Sequence, residues 1–215
     1  HTYYVYNNCS HQAAYQETGM QVESGDVVVV KGKTVVPEEK KVYLAFNKPR
    51  GIVCTAEKRE KNNVIDYLSY PVRIYPVGRL DKDSEGLLLM TNDGAIVNGI
   101  MRARNRHEKE YQVEVNKEIT PEFLKEMASG VPILDTVTRS CRIQKTGERS
   151  FTIILTQGLN RQIRRMCEAL GYRVTKLKRV RIMNIHLKDL KTGEYRPLTE
   201  KELAELKKQI GEEKR

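Results

Sequence analysis

The sequence predicts an α+β fold with a mainly antiparallel mixed sheet and flanking helices. Short apolar runs suited to strands recur at residues 42–46, 87–91, 111–115 and 151–155. Segments with helical spacing lie among them, and interspersed short strands and helices are typical of this fold class. At 215 residues, the chain is long enough for one sizeable core or two small ones.

Besides the basic segment described below, three segments carry helix signals. Residues 63–68 form a short helix candidate. Thr120 and Pro121 suit the cap and the first turn of a helix that Gly130 would end. Residues 199–202 form a capping box ahead of apolar residues with helical spacing, so they predict a C-terminal amphipathic helix.

Composition changes along the chain predict two domains. Residues 1–36 form a small β-rich module, within which residues 1–18 have no clear period and remain unassigned. Residues 37–41 are charged and contain a proline, which indicates a linker, and residues 42–215 form the main domain. The first residue is not Met, which predicts that the chain is part of a longer protein.

The charge balance predicts a polyanionic partner. The formal net charge is +10 and the isoelectric point is about 9.4, so the surface should attract nucleic acid or an anionic membrane. No long apolar run or signal peptide is present, and there is no Trp to anchor an interfacial helix, which disfavours a membrane partner.

The cysteines and histidines predict neither a metal site nor disulfides. Cys9, Cys54, Cys141 and Cys167 form no CxxC pair, and the histidines are scattered. Reduced cysteines in a chain of this length fit the cytoplasm. No glycine-rich nucleotide loop occurs either, so we expect no cofactor.

Residues 158–171 predict a basic helix, with Asn160 as its cap and Gly171 as its end. The helical spacing forms one buried stripe of Ile163, Met166, Cys167 and Leu170. Arg161 and Arg165 would point away from this stripe. Arg164 would lie on its flank, where its side chain can reach along the edge of the core into a cleft.

The basic character continues beyond this helix. Residues 158–183 contain eight Lys or Arg and one acid, Glu168. Solvated helices usually mix charges of both signs, so a phosphate-binding surface is favoured over a merely solvated face. The predicted RNA-binding side chains are Arg161, Arg165, Lys176, Lys178, Arg179 and Arg181, with Arg79 and Lys82 from an earlier loop.

That earlier loop, residues 78–86, holds the candidate catalytic residue Asp81. A lone loop aspartate is usually a turn former or a surface charge. Here Arg79 and Lys82 flank Asp81 and would hold it ionised. An ionised and positioned carboxylate can act as a nucleophile.

Four motifs resemble the RsuA family of RNA pseudouridine synthases. GRLDKDSEGLLLMTNDG is similar to the signature loop of the family, GLNRQIRRM to its basic motif, HEKEYQV to its tyrosine motif and NKPRGIV to the first motif of its catalytic domain. All four occur in the family's order. GVPILDTVTRSCRI and RRMCE resemble the RluF-type branch, which acts on 23S ribosomal RNA.

The resemblance implies a central catalytic cleft and a role for each matched residue. Asp81 corresponds to the catalytic aspartate, Tyr111 to the tyrosine that packs against the target ring and Arg164 to the basic residue that pairs with the aspartate. Arg79 corresponds to an arginine that helps to displace the flipped base. The resemblance also implies an N-terminal S4-like RNA-binding module. Only its closing hairpin, in residues 20–33, is recognisable.

The function expected from these residues is isomerisation of uridine to pseudouridine in ribosomal RNA by a monomer. A non-catalytic RNA-binding or ribosome-assembly protein, and the same reaction on transfer RNA, remain alternatives. An RNA methyltransferase is disfavoured because neither a glycine-rich cofactor loop nor a knotted-fold signature occurs. The sequence does not choose between nucleophilic attack by Asp81 and abstraction of a ribose proton.

Overall fold

A computed structural model of the chain describes the backbone of four N-terminal strands, and residues 40–57, 59–102 and 106–211 in full. The chain divides into two compact units between Lys40 and Lys41. The strands of the first unit are β1 Tyr3–Tyr6, β2 Ala14–Tyr15, β3 Val27–Val30 and β4 Lys33–Val35. They form an antiparallel sheet in the order β2-β1-β3-β4.

Strand β3 lies within residues 20–33, where the sequence predicts a closing hairpin. Strands β1 and β2 lie within residues 1–18, for which the sequence predicted no element. Their residues lack the alternation of a half-buried strand, which explains why a periodicity argument missed them. The S4-like assignment of residues 1–36 stays a prediction.

The second unit is built on a nine-stranded sheet. Its strands are β5 Tyr43–Lys48, β6 Tyr75–Pro76, β7 Glu85–Thr91, β8 Lys109–Val115, β11 Arg142–Gly147, β12 Ser150–Leu155, β13 Val174–Ile182, β14 Ile185–His186 and β15 Tyr195–Pro197. The main order is β11-β12-β8-β13-β7-β5-β15, while β14 pairs with β13 and β6 with β7. A separate pair consists of β9 Pro132–Ile133 and β10 Thr136–Val137.

The sheet is mixed because β13 and β7 run parallel at its centre, whereas its other strand pairs are antiparallel. The flanking helices are α1 Val64–Leu68, α2 Gly94–Met101, α3 Pro121–Ser129, α4 Gln162–Ala169 and α5 Glu200–Gln209. The predicted α+β class, with a mainly antiparallel mixed sheet and flanking helices, is therefore confirmed.

Local capping sets the predicted helix starts at α3 and α5. The Thr120 hydroxyl accepts a hydrogen bond from the Phe123 amide, and Pro121 occupies the first turn of α3. In α5, Thr199 and Glu202 form the complete capping box. The predicted cap of α4 is wrong. Arg161, not Asn160, caps α4 with a left-handed backbone and no side-chain cap bond.

The two faces of the sheet bury different clusters. Leu87 and Leu89 of β7 pack into a cluster with residues of α2 and α5, whereas the alternate residues Leu88 and Met90 pack with α1. A third cluster joins β8, β12 and β13 to α3 and α4. Tyr111 packs against both the α1 cluster and this third cluster. These two clusters therefore meet beside Tyr111, on one face of the sheet.

Glu202 should link the stability of the fold to pH. Its carboxylate accepts two 2.8 Å hydrogen bonds from Arg196 and one from the Thr199 amide. The Arg196 hydrogen bond, acting against burial, lowers the pKa of Glu202 from 4.5 to about 2. A carboxyl with a depressed pKa in the folded state stabilises the fold above its unfolded pKa. This contribution is lost as pH falls from about 4.5 towards 2.

We therefore expect Glu202→Gln to lower the free energy of unfolding at pH 7 by about 2 kcal/mol, a value discounted for solvent screening. Glutamine keeps the capping box, so the change tests the ion pair with Arg196. Urea unfolding at pH 7 and pH 3 measures it, and the gap between variant and wild type should narrow at pH 3. The control is Glu205→Gln, which changes an exposed residue of α5. A gap that is independent of pH would refute the linkage.

Candidate active site

The loop between β6 and β7 is fixed at both ends. Leu80 and Ser84 are buried, and the Leu80 amide donates to the Cys54 sulfur. The Ser84 amide donates to the Asp81 carbonyl, which closes a tight turn. The Asp81 side chain remains 34% exposed. The fold therefore holds the backbone of this loop while leaving the Asp81 carboxylate accessible.

A cavity of about 520 Å³ opens at this loop. Its lining combines the loop with the segment after β5 and the start of α4: Arg50, Gly51, Val53, Cys54, Arg79, Leu80, Asp81, Lys82, Asp83 and Arg161. The cavity is rich in cations and contains two carboxylates. Tyr111 is not among its lining residues and lies half-buried where two core clusters meet.

Two arginines at the start of α4 bind the loop. Arg161 donates to both carboxylate oxygens of Asp83, at 3.1 and 3.2 Å. The buried Arg164 donates to the Asp83 carbonyl and the Ser84 hydroxyl. Its Nε also lies 3.5 Å from the Asp83 carboxylate. The helix α4 and the Asp81 loop are thus joined by charge-assisted hydrogen bonds, which are stronger than neutral ones.

These contacts also favour the ionised form of Asp83. Burial works to raise the pKa of Asp83, but the hydrogen bond from Arg161 and the charges of both arginines outweigh it. The pKa of Asp83 therefore lies below its usual value. An anionic Asp83 holds the two guanidinium groups in place beside Asp81.

The structure corrects the pairing expected for Asp81. Among the described residues, the cation within 4 Å of its carboxylate is Arg161, at 3.7 Å. Arg164 instead contacts Asp83 and Ser84 directly. The sequence placed Arg161 on the outer surface of α4. Its left-handed backbone before the helix directs the side chain back to the loop. Arg164 does lie buried on the flank of the apolar stripe, as the spacing predicts.

Sequence reasoning missed Lys48, a fully buried lysine at the end of β5. Its ammonium donates to the carbonyls of Pro49 and Ile52, each at 2.8 Å. The turn so fixed contains Gly51, whose amide donates to the Lys82 carbonyl and whose φ is +89°. Burial lowers the pKa of Lys48, against the opposing charges of nearby Cys54, Asp81 and Asp83. The sequence signal that could have revealed Lys48 is its position at the end of an apolar strand.

Arg179 is not on the surface, so its predicted contact with phosphate is wrong. Arg179 is 3% exposed, and its neighbours in β13, Lys178 and Val180, are half-buried. Its Nε donates to the Leu87 carbonyl at 2.7 Å, and its Nη1 lies 3.5 Å from the Arg79 carbonyl. Gly86 allows this packing, since a Cβ there would lie 2.2 Å from the Arg179 carbonyl oxygen.

The other cations of β13 lie on the opposite face of the sheet from Tyr111. Lys176 and Lys178 alternate with Leu177, which is in the core cluster beside α4. Lys176 lies 4.0 Å from Glu85, and Arg181 pairs with Glu108 and Glu110. The phosphate-binding surface predicted from this segment stays a prediction, but its β13 cations do not all lie on one face of the sheet. Strand alternation separates the cations, and carboxylates from other strands neutralise several of them.

The remaining predicted cations lie nearer the cavity. Arg79 and Lys82 are exposed at its rim. Arg165 is half-buried, and its guanidinium bonds to the backbone and side-chain oxygens of Asn160. A larger cavity of about 640 Å³ lies elsewhere, where Glu108 and Arg181 pair with each other.

Two absences hold for the described part of the chain. It contains no cluster of three or more His, Cys, Asp or Glu side chains able to hold a metal ion. Within the same residues, no helix has the length and apolar character needed to cross a membrane.

Known proteins match this chain in sequence and in structure. Residues 42–169 match the family described as RNA pseudouridylate synthase. Dual-specificity RNA pseudouridine synthase RluF of Salmonella typhi is 54% identical over 194 residues, which are 89% of this chain and 67% of the relative. Ribosomal large subunit pseudouridine synthase B of Bacillus subtilis is 35% identical and covers 89% of this chain and 81% of its own length.

A solved structure described as a pseudouridylate synthase superposes with a TM-score of 0.73 at 28% identity. The match covers 87% of this chain and 83% of that chain. The resemblance inferred from four motifs is thereby confirmed over most of the chain. This chain belongs to the RNA pseudouridylate synthase family and is an enzyme that isomerises uridine in RNA.

Proposed function

We propose that this protein modifies specific uridines of large-subunit (23S) ribosomal RNA, with Asp81 as the catalytic residue. The observation that carries the proposal is the accessible Asp81 carboxylate, held in a cation-lined cavity by a loop that α4 fixes. The name of the Bacillus subtilis relative, which includes the ribosomal large subunit, supports the substrate class.

The cavity suits a nucleotide taken out of its helix. Small-molecule sites usually occupy about 300–1,000 Å³, and this cavity has about 520 Å³. Unstacking one base costs a few kcal/mol. Contacts between RNA phosphates and the exposed cations Arg79 and Lys82 would offset that cost.

The reaction needs an ionised carboxylate in either of its two routes. Asp81 would attack the anomeric carbon of the ribose or remove a ribose proton, and the bond from ribose to N1 of the base breaks. The base turns and rejoins through C5. Arg161 lies 3.7 Å from the Asp81 carboxylate, and Arg79 and Lys82 line the same cavity. We propose that Tyr111 packs against the ring of the base, and that Arg164 positions the loop.

Pseudouridine mapping tests the substrate. Large-subunit ribosomal RNA from cells lacking this protein should lose pseudouridine at specific sites. The purified protein should restore it on a transcript of that RNA. The name of the Salmonella typhi relative states dual specificity, so transfer RNA should be assayed in parallel. Unchanged pseudouridine in both RNA classes would refute the proposal.

An Asp81→Asn variant distinguishes a catalytic role of the protein from a non-catalytic role in ribosome assembly. If the variant restores ribosome assembly in such cells without restoring pseudouridine, assembly does not depend on catalysis. We propose further that the protein acts as a monomer in the cytoplasm. Gel filtration of the purified protein with and without RNA would test the monomer.

A further inference from the structure

Lys109 projects from the face of the sheet that carries Tyr111. The two residues are separated by one position in β8, so their side chains point to the same side. Tyr111 pairs with Ile153 in β12, and Lys109 pairs with Leu155. Both partners belong to the core cluster on that face. The strand rise puts Lys109 about 7 Å from Tyr111 along β8, within reach of a group that contacts the tyrosine ring.

This lysine has no counter-ion in the described part of the chain. No carboxylate there lies within 4 Å of its ammonium. The adjacent Glu108 and Glu110 bind Arg181, and Glu108 also binds Arg142. Lys109 is nevertheless half-buried, and burial, followed by the charge of nearby Arg179, lowers its pKa. A partly buried charge without a partner costs free energy.

Arg179 adds a second unmatched donor beside the same tyrosine. It pairs with Tyr111 across β13 and β8, and its Nη2 is buried without a hydrogen-bond partner in the described residues. By contrast, Arg161 and Arg164 bind the carboxylate of Asp83. The protein thus leaves positive charge uncompensated at Tyr111, where an anion would be stabilised.

We propose that Lys109 stabilises the negative charge on a carbonyl oxygen of the detached uracil. The inference rests on the proposed function. When the bond between C1′ and N1 breaks, its electron pair stays on the base and spreads to the carbonyl oxygens. The ribose either forms an ester with Asp81 or loses a proton to it, so the base carries one negative charge in both routes. When C5 bonds to C1′, the ester to Asp81 breaks in the first route, and Asp81 returns its proton to the ribose in the second, so the negative charge passes back from the base to the Asp81 carboxylate. Loss of the C5 proton to solvent and protonation of N1 then complete the neutral pseudouridine.

Lys109→Met, which removes the charge and keeps the length, tests this role. We expect the single-turnover rate at saturating enzyme to fall by at least about tenfold on a transcript of large-subunit ribosomal RNA. Lys109→Arg should recover most of the rate. Affinity, measured in an Asp81→Asn background to prevent turnover, should change less than about twofold. Lys125→Met, at an exposed position on α3, is the matched control.

Each alternative outcome decides the matter. Weaker binding with a salt slope reduced by about one and an unchanged rate would mean that Lys109 contacts a phosphate, which overturns the proposal. Unchanged rate and affinity would overturn it as well. An inactive wild-type protein would instead refute the proposed function. Loss of a desolvated charge should leave the melting temperature unchanged or higher. If the methionine variant does not fold, Lys109→Gln provides the same comparison.

Discussion

Asp81→Asn should reduce pseudouridine formation by at least about a thousandfold, because it replaces the reacting carboxylate by a neutral amide of the same shape. RNA binding should survive, since the cations at the cavity rim are unchanged. Tritium release from RNA labelled at C5 of uridine measures the reaction, and filter binding measures affinity.

Asp135→Asn is the matched control for this substitution. Asp135 is exposed in the turn between β9 and β10 and has a φ of +59°, a conformation that asparagine adopts readily. The control should react at the wild-type rate. Substantial turnover by Asp81→Asn would show that Asp81 is not the reacting group. If a melting experiment shows that the asparagine variant does not fold, Asp81→Glu is the variant to measure instead.

The parts of the fold that local chemistry determines could be predicted from the sequence. The caps of α3 and α5 follow from Thr120 and Thr199, whose hydroxyls accept backbone hydrogen bonds within the same turn. The alternation of β8 follows from residues that face either the core or solvent. In these cases the pattern that determines the element lies within a few consecutive residues, so it can be recognised in the sequence.

The failures share the opposite property, because their partners are distant in sequence. Arg161 is directed by its bond to Asp83, 78 residues away, and Arg179 by its bond to Leu87, 92 residues away. The basic segment 158–183 contains one acid, yet the folded sheet supplies Glu85, Glu108 and Glu110 as partners for its cations. A charge count along the chain cannot reveal such neutralisation.

The candidate site was also predictable only in part, although Lys48 was missed for a different reason, because its hydrogen-bond partners Pro49 and Ile52 are close in sequence. The motif resemblance named Asp81, Tyr111 and Arg164 as candidates, and of these Asp81 lines the cavity. The role of Lys48 depends on a turn that its ammonium closes inside the fold. In the sequence, a lysine at the end of an apolar run looks like an exposed residue, because lysine is almost never fully buried unless it is paired.

Arg164→Ala should lower the single-turnover rate by about a hundredfold, an ordinary loss for a displaced catalytic group. Arg164 is buried and holds the Asp83 carbonyl and the Ser84 hydroxyl, so its removal releases the loop that carries Asp81. Affinity for RNA should change little, because this guanidinium faces the protein. Arg164→Lys should recover part of the rate, since it restores the charge without the paired geometry.

Arg165→Ala is the control for this prediction. It shows whether the fall in rate is specific to Arg164 or follows from the loss of any cation at the start of α4. Arg165 lies next in sequence, but its guanidinium bonds to Asn160 and makes no described contact with the Asp81 loop. If it also reaches a phosphate, the variant should bind RNA more weakly, with a salt slope reduced by about one and the rate at saturation retained. Single-turnover rates and salt titrations of both variants would show the difference. Equal behaviour, with affinity reduced and chemistry intact in each, would make Arg164 a phosphate contact. Arg161, the cation nearest to Asp81, would then be left as the group that orients it.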